Sequence, residues 1–238
     1  MTPTRLITIP ALPMGMLNAF LAVGEGGCML IDTGMPGAEA KIGAVLAAEG
    51  LVWADIKLIV LTHGHIDHAG GAARLRHLTG APVLAQAREL PYLAGARPLL
   101  RATRGFGTVF KLTGVIERPF PTLAPDIVLD DAPLDLGAYG FAGQALATPG
   151  HTPGSLSVLF ADGQVAAGDL AASGILLGGI ALRGRVKQPP FEEDSAAVAA
   201  SLSRLLALGA ERFYLGHGGP LPRAAVERHV ARLTGRAG

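Results

Sequence analysis

The chain has 238 residues, half of them hydrophobic and 16% charged, which is enough apolar material for a large core and argues against disorder. Twenty basic and nineteen acidic side chains leave a net charge of +1, which gives no general pull toward nucleic acid or an anionic membrane. A single cysteine excludes an intramolecular disulfide framework and suits a reducing compartment.

The N-terminus carries one basic residue, Arg5, before an apolar stretch broken by Pro10 and Pro13, which makes a poor export signal. No run reaches the roughly 18 uninterrupted apolar residues of a membrane span. The nearest approach, 170–182, is short and rich in glycine. A cytoplasmic protein without a membrane partner is expected.

Residues 5–9 and 17–23 read as short strands; Glu25-Gly26-Gly27 supplies a turn, and 28–31 returns as a third strand. That strand ends in Asp32-Thr33-Gly34, and taken alone Asp32 reads as a turn-forming residue. Cys28, beside Met29 and Leu30, reads as a small buried apolar residue rather than a nucleophile. The spacing of Ile42, Val45 and Leu46 predicts a helix over 38–49, closed by Gly50.

The strand 57–62 then delivers His63, His65, Asp67 and His68 within six positions, and Gly70-Gly71 lets the backbone turn closely afterwards. Imidazole and carboxylate are the groups that bind zinc, iron or manganese. The alternating pair His63/His65 puts two rings on one side of an extended loop. The adjacent pair Asp67/His68 starts a new direction, so a second ligand set can face a second metal. The density of the pattern favours metal binding over a polar loop of hydrogen-bonded histidines.

A helix over 69–78 with Gly80 as its stop, a strand over 82–85 and a short helix over 88–94 continue an alternation that favours a layered α/β fold. Residues 95–125 break the rhythm with Pro98, Pro119, Pro121 and Pro125, and carry Arg97, Arg101, Arg104, Lys111 and Arg118 against one acid, Glu117. This segment reads either as a lid or pocket wall over the histidine loop or as a solvated surface insertion. Arg104 and Lys111 are its candidates for contacts to an anionic substrate.

Short strands are predicted at 127–129, 134–136, 144–148, 155–160 and 164–167; 177–190 is irregular. A helix over 195–208, with Val198, Leu202, Leu205 and Leu206 on one face and Asp194 or Ser195 as N-cap, precedes a strand at 212–215 and a terminal helix near 223–233. Three further candidate ligands share one local grammar. His151 follows Pro149-Gly150, Asp169 follows Gly168, and His217 lies between Gly216 and Gly218, each just after a predicted strand. His77 and His229 fall in predicted helices and read as surface or cap residues. No repeat or linker is visible, and both halves run strands first and then helix. Residues 1–238 therefore read as a single domain of two βα halves, with 95–125 as an insertion.

The motifs Asn18-Ala19-Phe20-Leu21, Leu30-Ile31-Asp32-Thr33-Gly34, Thr62-His63-Gly64-His65-Ile66-Asp67-His68-Ala69-Gly70-Gly71, Thr148-Pro149-Gly150-His151-Thr152-Pro153-Gly154-Ser155, Ala167-Gly168-Asp169 and Leu215-Gly216-His217-Gly218-Gly219-Pro220 span residues 18–220. In that order and spacing the sequence resembles the metallo-β-lactamase-fold hydrolase superfamily, and within it the glyoxalase II-like branch. The resemblance implies an α/β four-layer αββα sandwich of two β-sheets flanked by helices. It implies that His63, His65 and His151 hold a first metal, that Asp67, His68 and His217 hold a second, and that Asp169 bridges them. Asp32 would hydrogen-bond a ligand rather than coordinate. The cofactors implied are two divalent ions, zinc foremost, with iron or manganese as alternatives.

Two such ions about 3.5–4 Å apart generate a bridging hydroxide near neutral pH, polarise the substrate oxygen and stabilise the leaving group. Asp67 is expected to accept a hydrogen bond from that nucleophile and aim it. Fold does not fix substrate, but some features narrow it. Ala172 stands where acyl-homoserine lactonases of the family carry tyrosine, and only 21 residues follow His217, where glyoxalase II proper has a helical glutathione-binding domain. The tRNA-processing members carry a far more basic arm than 97–118. The expectation is a dinuclear hydrolase of a small thioester, ester or lactone, acting as monomer or homodimer on a small molecule. The alternatives are a mononuclear iron enzyme resembling sulfur dioxygenases, a phosphodiesterase of the same fold, and a metal-binding scaffold without activity.

Overall fold

The computed structural model describes residues 4–103, 105–178 and 180–235. A first six-stranded sheet runs β1 (Arg5–Leu12), β2 (Leu17–Gly24), β3 (Gly27–Ile31), β4 (Ile56–Val60), β5 (Val83–Gln86) and β6 (Ile127–Leu129) in sequence order. The first three strands pair antiparallel through tight turns. From β3 onward the pairs are parallel, as connections through helices require. The helices here are α1 (Glu39–Ala48), α2 (Ile66–Ala69), α3 (Ala72–Thr79), α4 (Leu90–Leu93) and α5 (Gly105–Lys111).

The second six-stranded sheet is built from β7 (Leu134–Asp135), β8 (Gly143–Ala147), β9 (Leu156–Phe160) and β10 (Gln164–Ala166), completed by β13 (Arg212–Tyr214) and β14 (Leu221–Pro222). Between them a small ladder pairs β11 (Ala172–Ser173) with β12 (Val186–Lys187). Helices α6 (Ser195–Ala207) and α7 (Arg223–Leu233) follow. Asp194 caps α6 by accepting from the N–H groups of Ala196 and Ala197.

Strand alternation sorts the side chains into three apolar layers. On β3 and β4, Leu30 and Ile59 face Ile42, Leu46 and Leu75 of α1 and α3. Met29, Ile31, Leu58 and Val60 point the other way, against Leu156, Val158, Phe160 and Tyr214 of the second sheet. Leu159, Val165 and Phe213 on the far face of that sheet meet Val198, Leu202, Leu205 and Val226 of α6 and α7. The order is helices, sheet, sheet, helices. A core leucine in this arrangement, such as Leu30 or Leu205, contributes about 2–5 kcal/mol against alanine.

The sheets also fix where chemistry can collect. β3 and β4 are parallel, and β8 runs with β10 and β13 because two antiparallel pairings relate β8 to β10. The carboxyl ends of all five precede Asp32, His63, His151, Asp169 and His217. Backbone bonds from Leu156 N to Thr62 O and from Asn18 N to Gly216 O, both 2.8 Å, join the two sheets at this end.

Several expectations change. The helix expected over 69–78 is two pieces, and the first, α2, starts inside the histidine motif. Asp67 and His68 thus sit on a helical turn rather than in a loop. The break falls at Gly70-Gly71, where a Cβ on Gly70 would lie 2.2 Å from Ile66 O and 2.5 Å from Pro36. β1 runs to Leu12, and its Pro10 is tolerated because β1 is a sheet edge with a bulge at that point. α5 forms within the proline-rich segment, and residues 186–187 of the irregular stretch pair as β12. His229 is buried on α7 rather than at the surface. Cys28 is fully buried, and burial together with Asp55 pushes its thiol pKa up to about 11, as suits an apolar core residue.

Candidate metal centre

The β3 terminus places Asp32 in the left-handed region at φ 61°, a conformation aspartate tolerates better than most residues. This turns its carboxylate under the histidine loop. Oδ1 accepts from Thr62 N and Oδ2 from Thr62 Oγ1, each at 2.8 Å, and Oδ2 also faces His68 Nδ1 at 2.8 Å. Since the Thr62 hydroxyl proton goes to Asp32, its oxygen is free to accept from His63 Nδ1, 3.1 Å away. One buried acid therefore orients His68 directly and His63 through Thr62.

The other rings are held in the same manner. His151 Nδ1 donates to Phe191 O at 2.9 Å, and His217 Nδ1 donates to Met16 O at 2.5 Å. With Nδ1 engaged outward, the Nε2 atoms of His63, His68, His151 and His217 point inward. His65 differs and presents Nδ1, which lies 3.2 Å from both His63 Nε2 and His151 Nε2. Beside this triad, His217 Nε2 is 3.4 Å from Asp67 Oδ2 and 3.2 Å from Asp169 Oδ2. Asp169 also reaches His68 Nε2 at 3.5 Å through Oδ1 and His151 Nε2 at 3.7 Å through Oδ2. All seven candidate ligands of the sequence are thus gathered at one place, with Asp32 behind them.

Two donor sets of metal-binding size, His63/His65/His151 and Asp67/His68/His217, adjoin here, and Asp169 groups with His63 and His68. The residues fit metal ions. His68 Nε2 and Asp169 Oδ1 are buried without a hydrogen-bond partner, a costly state that a cation would relieve. Nitrogens 3.2 Å apart also match the edge of a tetrahedron with Zn–N bonds of about 2.0–2.1 Å.

Electrostatics divide the histidines. Burial and the neighbouring rings hold His65 down to about 3 and His63 well below the usual imidazole value. Burial also lowers His151. These rings are neutral, as ligands must be. Burial opposes a charge on His68 too, but Asp169, Asp67 and Asp32 override it and raise its pKa to about 9; Asp169 and Asp67 likewise raise His217. His68 and His217 in turn overcome the burial of Asp67 and bring it to about 2. In this second set the carboxylates favour protonated imidazoles, so a cation binding there would compete with protons.

Glycine permits the close approach. A Cβ on Gly216 would lie 2.2 Å from Asp169 Oδ1 and 2.4 Å from His68 Cε1.

The sequence does not reveal Glu89. This acid is fully buried and links the two histidine loops: Oε2 accepts from Gly64 N at 2.6 Å, and Oε1 accepts from Thr152 Oγ1 at 2.6 Å and Gly154 N at 2.9 Å. Burial pushes its pKa up to about 7 against the pull of those donors.

A pocket of about 280 Å³ opens beside the ligands. His65, Asp67, His151, Asp169 and His217 form its floor, and Leu12, Leu17, Met35, Phe110, Ile116 and Phe191 are among its walls. Part of the 95–125 segment therefore lines the site: Leu100 and Ile116 are buried with Ile66 and Phe191, and Phe110 packs on them. Of the two basic candidates, Arg104 lies outside the described residues, and Lys111 donates to Leu100 O at 3.1 Å.

The model of the metallo-beta-lactamase superfamily matches residues 12–217. A probable metallo-hydrolase of Bacillus subtilis is 32% identical, over 87% of this chain and 81% of its own. A hydroxyacylglutathione hydrolase of Acidiphilium cryptum is 35% identical, over 98% of this chain and 79% of its own. Among solved structures, a metallo-beta-lactamase family protein from Thermus thermophilus aligns with a TM-score of 0.67 at 26% identity, covering 98% of this chain and 80% of that one.

Proposed function

Because the chain belongs to the metallo-beta-lactamase superfamily and is a metal-dependent hydrolase, we propose that it uses two divalent ions, zinc foremost, to cleave a small thioester, ester or lactone. His63, His65 and His151 would hold one ion, Asp67, His68 and His217 the other, and Asp169, which groups with His63 and His68, would be shared. The observation that carries this reading is the meeting of two buried donor sets around one carboxylate, with His217 Nε2 3.2 Å and His151 Nε2 3.7 Å from Asp169 Oδ2.

When bound, such a pair supplies hydroxide near neutral pH and polarises the scissile carbonyl. The chain's own residues do the rest. Asp32 and the carbonyls of Phe191 and Met16 fix the rings. Asp67 Oδ1, buried and without a hydrogen-bond partner, accepts a hydrogen bond from the attacking water and aims it. The apolar walls keep bulk water from the carbonyl.

Among the described residues no helix is long and apolar enough to cross a membrane. We assign a small-molecule substrate, no nucleic acid, a cytoplasmic location, and a monomer or homodimer. The test is metal content per chain together with turnover of thioesters, esters, lactones and phosphodiesters by protein loaded separately with zinc, manganese and ferrous iron. Two ions and carboxyl-ester hydrolysis are expected. One iron per chain with oxygen consumption on a persulfide would replace this reading with the dioxygenase one.

A further inference from the structure

We propose, resting on the hydrolase reading above, that the substrate carries an uncharged, apolar acyl group, and that the wall formed by Phe110, Ile116 and Phe191 receives it and limits its length.

Among the described residues, every polar side chain lining the pocket belongs to the ligand set: His65, Asp67, His151, Asp169 and His217. None of these described lining residues is a lysine, arginine, amide or hydroxyl that could meet a substrate carboxylate, peptide or phosphate. A polar group buried in such a pocket loses its water without a replacement. A site that selects by hydrogen bonds needs donors or acceptors beyond its catalytic ones; this one offers hydrocarbon.

The wall is preformed. Phe110 stacks between Phe106 and Phe191, with ring centroids 5.8 Å apart on each side. Phe191 and Ile116 are 4% and 9% exposed. Backbone contacts hold residues 101–103, just ahead of α5, against the segment before α6: Ala102 bridges Phe191, Thr103 N donates to Pro190 O at 3.0 Å, and Glu192 N donates to Arg101 O at 3.0 Å. Gly107 seats directly on Pro190, whose carbonyl oxygen would be 2.1 Å from a Cβ there. An aromatic wall fixed this way admits chains up to a set length. The volume of about 280 Å³ lies near the lower end for small-molecule sites, so the accepted chain is of medium length.

Burying a methylene is worth enough to raise kcat/KM about fourfold until the pocket is full. The experiment compares metal-loaded protein on a thioester series from acetyl through hexanoyl and decanoyl, on alkyl-substituted lactones, and on carboxylate-ended succinyl and glutaryl thioesters. A rise with chain length followed by a plateau is expected, with the carboxylate-ended thioesters at least tenfold slower than neutral ones of equal length. The thioester and lactone arms decide which carboxyl linkage carries the acyl group. Ile116→Phe is expected to lower the ratio of decanoyl to acetyl turnover at least tenfold.

A second readout needs no turnover: calorimetric binding of neutral alkyl methyl ketones, expected to tighten with chain length and to show a negative heat-capacity change. Graded ketone binding without hydrolysis of any substrate would support the pocket and overturn the hydrolase reading. Turnover indifferent to chain length and terminal charge, with no ketone binding, would leave the hydrolase and overturn the acyl pocket.

Discussion

Asp32 Oδ2 and His68 Nδ1 lie 2.8 Å apart, and neither side chain is exposed to solvent. The same oxygen receives the Thr62 hydroxyl, which in turn supports His63. One buried acid thus sets the direction of two rings, His68 directly and His63 through Thr62.

Replacing it tests that arrangement. In Asp32→Asn, whichever way the amide turns, its NH2 confronts a donor: Thr62 N on one side, or Thr62 Oγ1 and His68 Nδ1 on the other. Metal affinity is expected to fall about 10–100-fold, as for lost hydrogen-bond partners of other ligating histidines. Chelator-competition titration reads this. Unchanged affinity would mean the rings are held by packing alone.

Asp169→Ala removes the carboxylate that lies between the sets. Occupancy is expected to drop at both positions and turnover to be nearly abolished, with the fold retained by circular dichroism. His229→Ala should leave both metals and turnover intact; since His229 is buried, its cost appears in thermal stability instead. Two metals and full turnover in Asp169→Ala would refute the shared-ligand assignment.

Gly216→Ala adds only a methyl group, yet that group would fall within 2.4 Å of both Asp169 and His68. The expected outcome is a folded protein with reduced metal content, measured by elemental analysis after dialysis against zinc. Wild-type content would show that the ligands have room to move.

Glu89 gives a pH signature. Its folded pKa, about 7, lies above the ordinary value of 4.5, so between the two the folded state binds the extra proton. Stability therefore falls as pH rises through that window, by at most about 3 kcal/mol. Glu89→Gln cannot ionise and lacks this term, although its amide mismatches one of three donors and lowers overall stability. Denaturant unfolding at about pH 5 and about pH 8 should show the wild type losing stability relative to the variant. Parallel pH profiles would remove Glu89 as their source.

How much is legible in the sequence follows the range of the physical cause. His63, His65, Asp67 and His68 announce themselves because their spacing is local, and the strands feeding them are short apolar runs. Glu89 does not, since an acid between Arg88 and Leu90 looks like a solvated helix start, and its burial depends on donors in two distant loops. Its signal lies in the glycines: a Cβ on Gly64 or Gly154 would meet the Glu89 side chain within 2.9 Å. The polarity of His229 suggests a surface position, although Ala225, Val226 and His229 occupy one buried helical face. The 95–125 segment is ambiguous because prolines and basic residues mask Leu100, Phe110 and Ile116, whose partners Ile66 and Phe191 lie far away in the chain.

His63 and His65, from the loop after β4, and Asp67 and His68, on α2, belong to the half built on the first sheet, while His151, Asp169 and His217 come from loops of the second. At this rim the chain crosses once between the halves, from β6 to β7 through residues 130–133, and backbone hydrogen bonds such as Leu156 N to Thr62 O and Asn18 N to Gly216 O stitch the rest. An ion held from both sides would act as a rivet through the laminate, gripping only when the sheets are docked. At free metal a hundredfold above its dissociation constant, that adds about 2.7 kcal/mol to the docked state. Chelation should therefore loosen the seam between the halves as well as silence the enzyme, and the heat resistance of the chain becomes a gauge of its metal supply.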